Sequence, residues 1–235
     1  MPADSEHRHT DYENLTTQAR GELLERLQFF KLDPQVVIDL GSGPGLGTTA
    51  LRRKFRGAQV LAVDADFALA LAARRRQRFW RGCDAICADA CTLPLQSQSV
   101  DLVFSNLLLP HCSSPPRLFA QVQRVLRPGG LVVFSTLGPG ALQQLRARRA
   151  DTAASALAAS DFDMPRLGAA MAESGLSEPV LDCERRAVEG HSEAIEVIYG
   201  AAFGGGAKAG TGGHGADGSE YAVPLDRFRT RGKTS

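Results

Sequence analysis

The run Val36-Val37-Ile38-Asp39-Leu40-Gly41-Ser42-Gly43-Pro44-Gly45 constrains the fold more than any other part of this chain. An apolar run that does not alternate describes a strand covered on both faces. It ends in an acid and then a glycine-rich turn. Glycine has no Cβ, so the backbone N–H groups of such a turn can approach a ligand closely. A second strand-like run, Gln59–Val63, ends at Asp64. That acid lies about 20 residues beyond the turn, the spacing at which a carboxylate reaches a ribose hydroxyl. The expected architecture is a parallel sheet with a nucleoside-bearing cofactor across the carboxyl ends of its strands.

The rest of the chain continues the pattern. Leu15, Ala19, Leu23, Leu27 and Phe30 recur at helical spacing, which predicts an amphipathic helix ahead of the first strand. Strands are expected near 36–40, 59–63, 85–88, 100–105 and 131–136, and helices near 48–55, 67–78, 117–126 and 141–149. Alternation of this kind gives an α/β fold, a doubly wound and mostly parallel Rossmann-like sheet. Arg127-Pro128-Gly129-Gly130 reads as a turn before the fifth strand. Residues 150–162 read as a connector. A helix over 164–174 is expected to stop at Gly175, with strands near 179–184 and 194–199. From Gly204 to Gly218 eight of fifteen residues are glycine. Such a segment buries too little surface to offset its ordering entropy, so residues 1–203 are expected to form one domain and 204–235 a flexible tail.

Composition removes several function classes. With 235 residues and 43% hydrophobic content, one domain with a sizeable core is expected. The net charge of +1 gives no global attraction to nucleic acid or membrane. No apolar run reaches membrane-spanning length, and residues 1–11 lack the apolar core of a signal peptide. The five cysteines form no CxxC pair, so free thiols in a reducing, cytoplasmic setting are expected and no metal site.

The glycine turn admits two cofactors. A dinucleotide fingerprint needs G-x-G-x-x-G, whereas Gly41, Gly43 and Gly45 are spaced G-x-G-x-G. Asp39, just before the turn, is placed to hold an ammonium group. A third strand-like run ends at Asp89-Ala90, where an acid can accept from an adenine amino group. Leu93-Pro94-Leu95, Ser99–Asn106 and Val125–Gly130 follow in order. This ordered set resembles the class I S-adenosylmethionine-dependent methyltransferases over residues 34–140. The resemblance implies S-adenosyl-L-methionine as cofactor, held by Asp39, Gly41, Gly43, Gly45, Asp64, Asp89, Ala90 and Asn106.

Asn106-Leu107-Leu108-Leu109-Pro110-His111-Cys112 and Phe134–Pro139 are similar to the malonyl-acyl-carrier-protein O-methyltransferases, which esterify a carrier-bound malonyl carboxylate in biotin synthesis. Tyr12 with its helix, and Ile195–Gly200, resemble that family's two ends. The family usually carries a helical insertion between its sixth and seventh strands. Here only residues 185–193 separate those runs. An acyl-carrier protein or a small free carboxylate is therefore the expected substrate partner.

The chemistry is compatible. A malonyl carboxylate is ionised at neutral pH, so its methylation needs alignment and water exclusion rather than a general base. Tyr12 can close over the cofactor, and His111 can orient the acceptor. Arg146, with Arg148 behind it, is a candidate cation for the carboxylate, against the alternative of a solvated helix face. The arginines at 74, 75, 76, 78 and 81 read first as a solvated helix end. A non-catalytic binding protein retaining the fold is the rival from another class; an oxidoreductase fits the glycine spacing poorly.

Overall fold

A computed structural model describes residues 3–77, 83–141, 163–186 and 194–205, with side chains from Tyr12 onward and excluding that of Cys83. The expected helix over 141–149, the connector at 150–162, Arg78, Arg81, residues 187–193 and the tail beyond Gly205 lie outside the described residues.

Seven strands form one sheet in the order β3-β2-β1-β4-β5-β7-β6. They are β1 (Val36–Leu40), β2 (Gln59–Asp64), β3 (Cys83–Cys87), β4 (Val100–Asn106), β5 (Leu126–Leu137), β6 (Ser177–Arg186) and β7 (Ile195–Phe203). β1 pairs in parallel with β2 on one side and β4 on the other. The chain order reverses direction at that point, which opens a crevice at the carboxyl ends of these strands. Only β7 runs against its neighbours, β5 and β6.

Alternation along the strands divides the core. Val36, Ile38 and Leu40 pack with Val103, Phe134 and the helices α4 (Pro115–Val125) and α5 (Met164–Glu173). Val37, Val60, Leu102 and Val133 face the opposite layer, where α1 (Ala3–Arg26) contributes Leu15, Ala19 and Leu23. Successive side chains of a strand point to opposite faces, so a continuous apolar run supplies both layers at once. Helices α2 (Leu46–Lys54) and α3 (Phe67–Gln77) complete the layers around β1 to β3. Gly175 follows α5 with φ +91°, the left-handed stop that the sequence predicts.

Arginine and acid side chains fix α1 to the sheet. Arg26 pairs with Glu22 at 3.0 Å, Asp182 at 2.9 Å and Glu184 at 2.6 Å, and its guanidinium lies 4.4 Å from the centre of the Tyr199 ring. Arg186 joins Glu22 and Glu184.

Two expectations need correction. Arg127–Gly130 does not precede the fifth strand: β5 already pairs with β4 at Leu126, opposite Val100, and resumes at Leu131, opposite Leu102. The Pro-Gly-Gly sequence makes a bulge inside the strand. Gly204 is not the first residue of a free tail. It accepts from the Gly129 N–H at 2.9 Å and donates to the Gly130 carbonyl at 2.7 Å, closing that bulge.

Candidate active site

Sheet reversal brings Tyr12, Gly41, Gly43, Asp64, Asp89, Ala90, Asn106 and His111 onto the walls of one cavity of about 550 Å³. That volume falls within the range of small-molecule sites, about 300–1,000 Å³. The residues come from five separate stretches of chain, and the fold alone unites them.

The glycine turn is pinned to the neighbouring strand. Gly41 and Ser42 both donate to the Val63 carbonyl, at 2.8 and 3.0 Å. Gly43 has φ +52° and nothing within 4 Å of where a Cβ would stand, so its backbone faces open space. The Gly43 N–H donates to Asp64 Oδ2 at 2.7 Å, and Asp66 N–H donates to Asp64 Oδ1 at 3.0 Å. Asp64 therefore braces the turn while lining the cavity. A carboxylate has about four acceptor sites, so capacity remains for a ligand hydroxyl. Asp89 accepts from the Cys91 N–H at 2.8 Å, which fixes its carboxylate at the end of β3.

At the end of β4, Asn106 joins three elements. Its Nδ2 donates to the Thr16 carbonyl of α1 at 3.1 Å, and its Oδ1 accepts from the Ser135 hydroxyl of β5 at 2.8 Å. Leu107 follows at φ +54°, an unusual conformation for a branched residue. Its N–H bonds to the Ser135 carbonyl and hydroxyl, each at 3.1 Å, and its side chain is buried. On the far side, Tyr12 Oη lies 3.3 Å from His111 Nε2.

Three sequence expectations fall differently. Asp39 is only 2% exposed and is not on the cavity wall. It accepts from the Thr48 hydroxyl at 2.6 Å, at the first turn of α2. A Cβ on Gly47 would come within 2.9 Å of its Oδ2. Burial pushes its carboxyl up to about 6, while the Thr48 hydrogen bonds and the Arg20 charge pull it down. Gly45 also leaves the wall. It precedes α2 with φ +83°, and a Cβ there would meet Ala73 Cα of α3 at 2.9 Å, so this glycine serves helix packing. Arg146 lies outside the described residues. In the basic cluster, Arg76 Nε donates to the Pro44 carbonyl at 3.0 Å, which ties α3 to the glycine turn.

Sequence reasoning missed Thr16, Asp66, Leu69, Leu108 and Cys112, which also line the cavity. Thr16 carried a readable signal, since it stands one helical turn after Tyr12. Asp66 carried another: its Oδ1 accepts from Ala68 N–H at 2.7 Å, an N-terminal cap for α3. Cys112 offers no nucleophile, because burial beside Cys91 and Asp89 pushes its thiol up to about 12.

Residues 38–134 match a family model described as a methyltransferase domain. The chain is 39% identical over 176 residues to a malonyl-[acyl-carrier protein] O-methyltransferase of Methylovorus sp., covering 72% of this chain and 60% of that protein. It is 38% identical over 180 residues to the protein of that name from Halorhodospira halophila, covering 77% and 61%. The chain thus spans about three fifths of the length of these curated relatives. Among solved structures, the phosphoethanolamine N-methyltransferase 2 of Haemonchus contortus, in complex with S-adenosylhomocysteine, superposes with a TM-score of 0.64 at 17% identity, covering 79% of this chain and 53% of that one. A putative methyltransferase of Haloferax volcanii, bound to its activator, superposes with a TM-score of 0.65 at 17% identity, covering 86% and 96%. These structures share the class I methyltransferase fold with this chain.

Proposed function

We propose, from the premise that residues 38–134 belong to the methyltransferase domain family, that this chain is an S-adenosylmethionine-dependent O-methyltransferase acting on a carboxylate, with malonyl-acyl-carrier protein as acceptor. The observation that carries the cofactor assignment is the joint placement of Gly43, Asp64 and Asp89 on one cavity wall. The donor set suits an adenosine: an acid at each of two neighbouring strand ends, and an uncrowded glycine backbone after the next strand, β1. Asp64 would hold the ribose hydroxyls, and Asp89 with Ala90 the adenine edge. When bound, the cofactor supplies an electrophilic methyl group on a sulfonium.

The chain's own residues need only bind, orient and exclude water. Tyr12 and Thr16 bring α1 to the cavity wall, and the buried Leu107 also lines it. His111, held by Tyr12, stands where it can orient an incoming carboxylate. That acceptor is already ionised at neutral pH, so no proton is removed before attack. The malonyl-carrier assignment is supported by the names of relatives above 30% identity, and a place in biotin synthesis is what the sequence resemblance implies.

A small free carboxylate is a second reading. β6 and β7 pair closely, with Arg186 opposite Ile195, so only residues 187–194 connect them. That leaves little chain to form a lid for a carrier protein. Methyl transfer to malonyl-carrier protein, malonyl-coenzyme A and malonate, measured side by side, separates the two. Turnover of the carrier-bound substrate alone supports the first reading, and equal turnover of all three the second. Absence of S-adenosylmethionine binding would overturn both. No helix among the described residues is long and apolar enough to cross a membrane.

A further inference from the structure

Glycine takes left-handed backbone about as readily as right-handed, so a glycine-rich turn does not choose its own shape. Gly41, Gly43 and Gly45 have φ of +72°, +52° and +83°. Contacts from outside the turn must hold them. β2 holds the first two, through the Val63 carbonyl and the Asp64 carboxylate. The third is held from α3.

Gln77 is the last residue of α3 and is 1% exposed. Its Nε2 donates to the Gly45 carbonyl at 3.0 Å and to Thr49 Oγ1 at 2.7 Å. The Thr49 hydroxyl in turn donates to the same carbonyl at 2.9 Å. The amide nitrogen of Gln77 is thus fully engaged at the start of α2. Its Oε1 is buried and has no hydrogen-bond partner among the described residues. A buried acceptor without a partner is destabilising. An apolar side chain of the same size would fill the space without that cost, so the amide is here for its donor. With the Arg76 bond to Pro44, the end of α3 holds two consecutive carbonyls of the turn.

The other end of α3 reaches the same site. Asp66 caps it through the Ala68 N–H, and donates its own N–H to Asp64 Oδ1. Asp64 Oδ2 accepts from Gly43. The contacts close a ring: glycine turn, Asp64, Asp66, α3, Gln77 and back to the turn. Eleven residues of helix, about 16 Å, span that ring. Loss of the Gln77 donor opens it, and leaves Gly43 and Asp64 on the cavity wall less firmly placed.

We propose that Gln77 is a positioning residue for the cofactor. By holding the Gly45 carbonyl it sets the glycine turn in the shape that presents the Gly43 backbone and the Asp64 carboxylate to the ligand. The inference rests on the S-adenosylmethionine reading above. Gln77 acts through the turn, since it is not itself on the cavity wall.

The test compares wild type, Gln77→Met and Gln77→Glu as full chains in two measurements. One is amide hydrogen exchange across residues 41–45 of the ligand-free protein. The other is calorimetric titration with S-adenosylhomocysteine. Gln77→Met keeps the volume and removes the donor. Gln77→Glu keeps the shape and turns an acceptor toward the Gly45 carbonyl. In Gln77→Met, exchange in the turn should rise and affinity should fall, each by about 3- to 10-fold, the range of one hydrogen bond. Gln77→Glu should exceed both changes. If thermal melting shows that it fails to fold, Gln77→Met carries the comparison. Faster exchange confined to α3, with affinity intact, would give Gln77 a packing role and overturn the proposal. So would a change in only one of the two measurements, or in neither. A wild-type chain that does not bind S-adenosylhomocysteine overturns the methyltransferase reading itself, and the cofactor role of Gln77 with it.

Discussion

The Tyr12 hydroxyl and His111 Nε2 meet at 3.3 Å across 99 positions of sequence. This contact joins the helix that leads the fold to the loop that follows β4, at the cavity's mouth. In a double-mutant cycle of Tyr12→Phe and His111→Ala, the coupling in kcat/KM should be about 0.5–1.5 kcal/mol, the range of a neutral hydrogen bond. Additive losses would show that the two side chains act independently.

Asp64 does two jobs. It accepts from Gly43 N–H and faces the cavity. Asp64→Ala should weaken cofactor binding by about 1.5–3 kcal/mol through loss of a charge-assisted bond. Asp64→Asn should retain part of that affinity, since its carbonyl oxygen can still accept. Equal affinity in all three proteins, by equilibrium titration, would contradict the placement.

Asp39 sets a pH dependence. Its folded carboxyl lies at about 6, above the ordinary aspartate value of about 3.9. The folded state therefore holds the proton more tightly than the unfolded chain. The stabilisation from this group is fully present below the unfolded value and is lost as pH rises through about 6. Urea unfolding between pH 4 and 7.5 should show wild type losing up to about 3 kcal/mol relative to Asp39→Asn. A difference that stays flat over that range refutes the assignment.

The bulge in β5 makes a distinction between two truncations. Removal of residues 206–235 leaves both hydrogen bonds of Gly204 in place. Removal of 204–235 orphans the Gly129 N–H and the Gly130 carbonyl. The second truncation should be less stable than the first by about 1–3 kcal/mol in chemical denaturation. Equal stabilities would show that water replaces Gly204 without cost.

What the sequence disclosed, and what it hid, follows from range. β1 was legible to the residue because an apolar run of that kind suits only a doubly covered strand. Leu15, Ala19 and Leu23 were legible as the inner face of α1 because a helix repeats within a few residues. The spacing of Asp39, Asp64 and Asp89 placed each near a strand end, yet spacing alone does not say where a carboxylate points. Asp39 shares the parity of Val37, and so the face under α1 and α2. That alternation pointed away from the cavity. Arg127–Gly130 was visible as a turn, but its return into the same strand depends on Gly204, far along the chain. The left-handed Leu107 had no sequence signal, because the Ser135 bonds that hold it come from β5.

The ion-pair cluster of Arg26 carries a consequence for how this chain is made. Its partner Glu184 lies 158 residues later. At about 5–20 residues per second, a ribosome needs on the order of 10–30 s to travel that distance. For much of that interval the first helix has its apolar stripe, Leu15 to Leu27, without β4, β5 and β7, whose Leu102, Val133 and Val197 share its core. A nascent chain of this design therefore presents a sticky leader long before its own docking face exists. Holding that leader apart from other nascent chains is the first demand its synthesis makes on the cell.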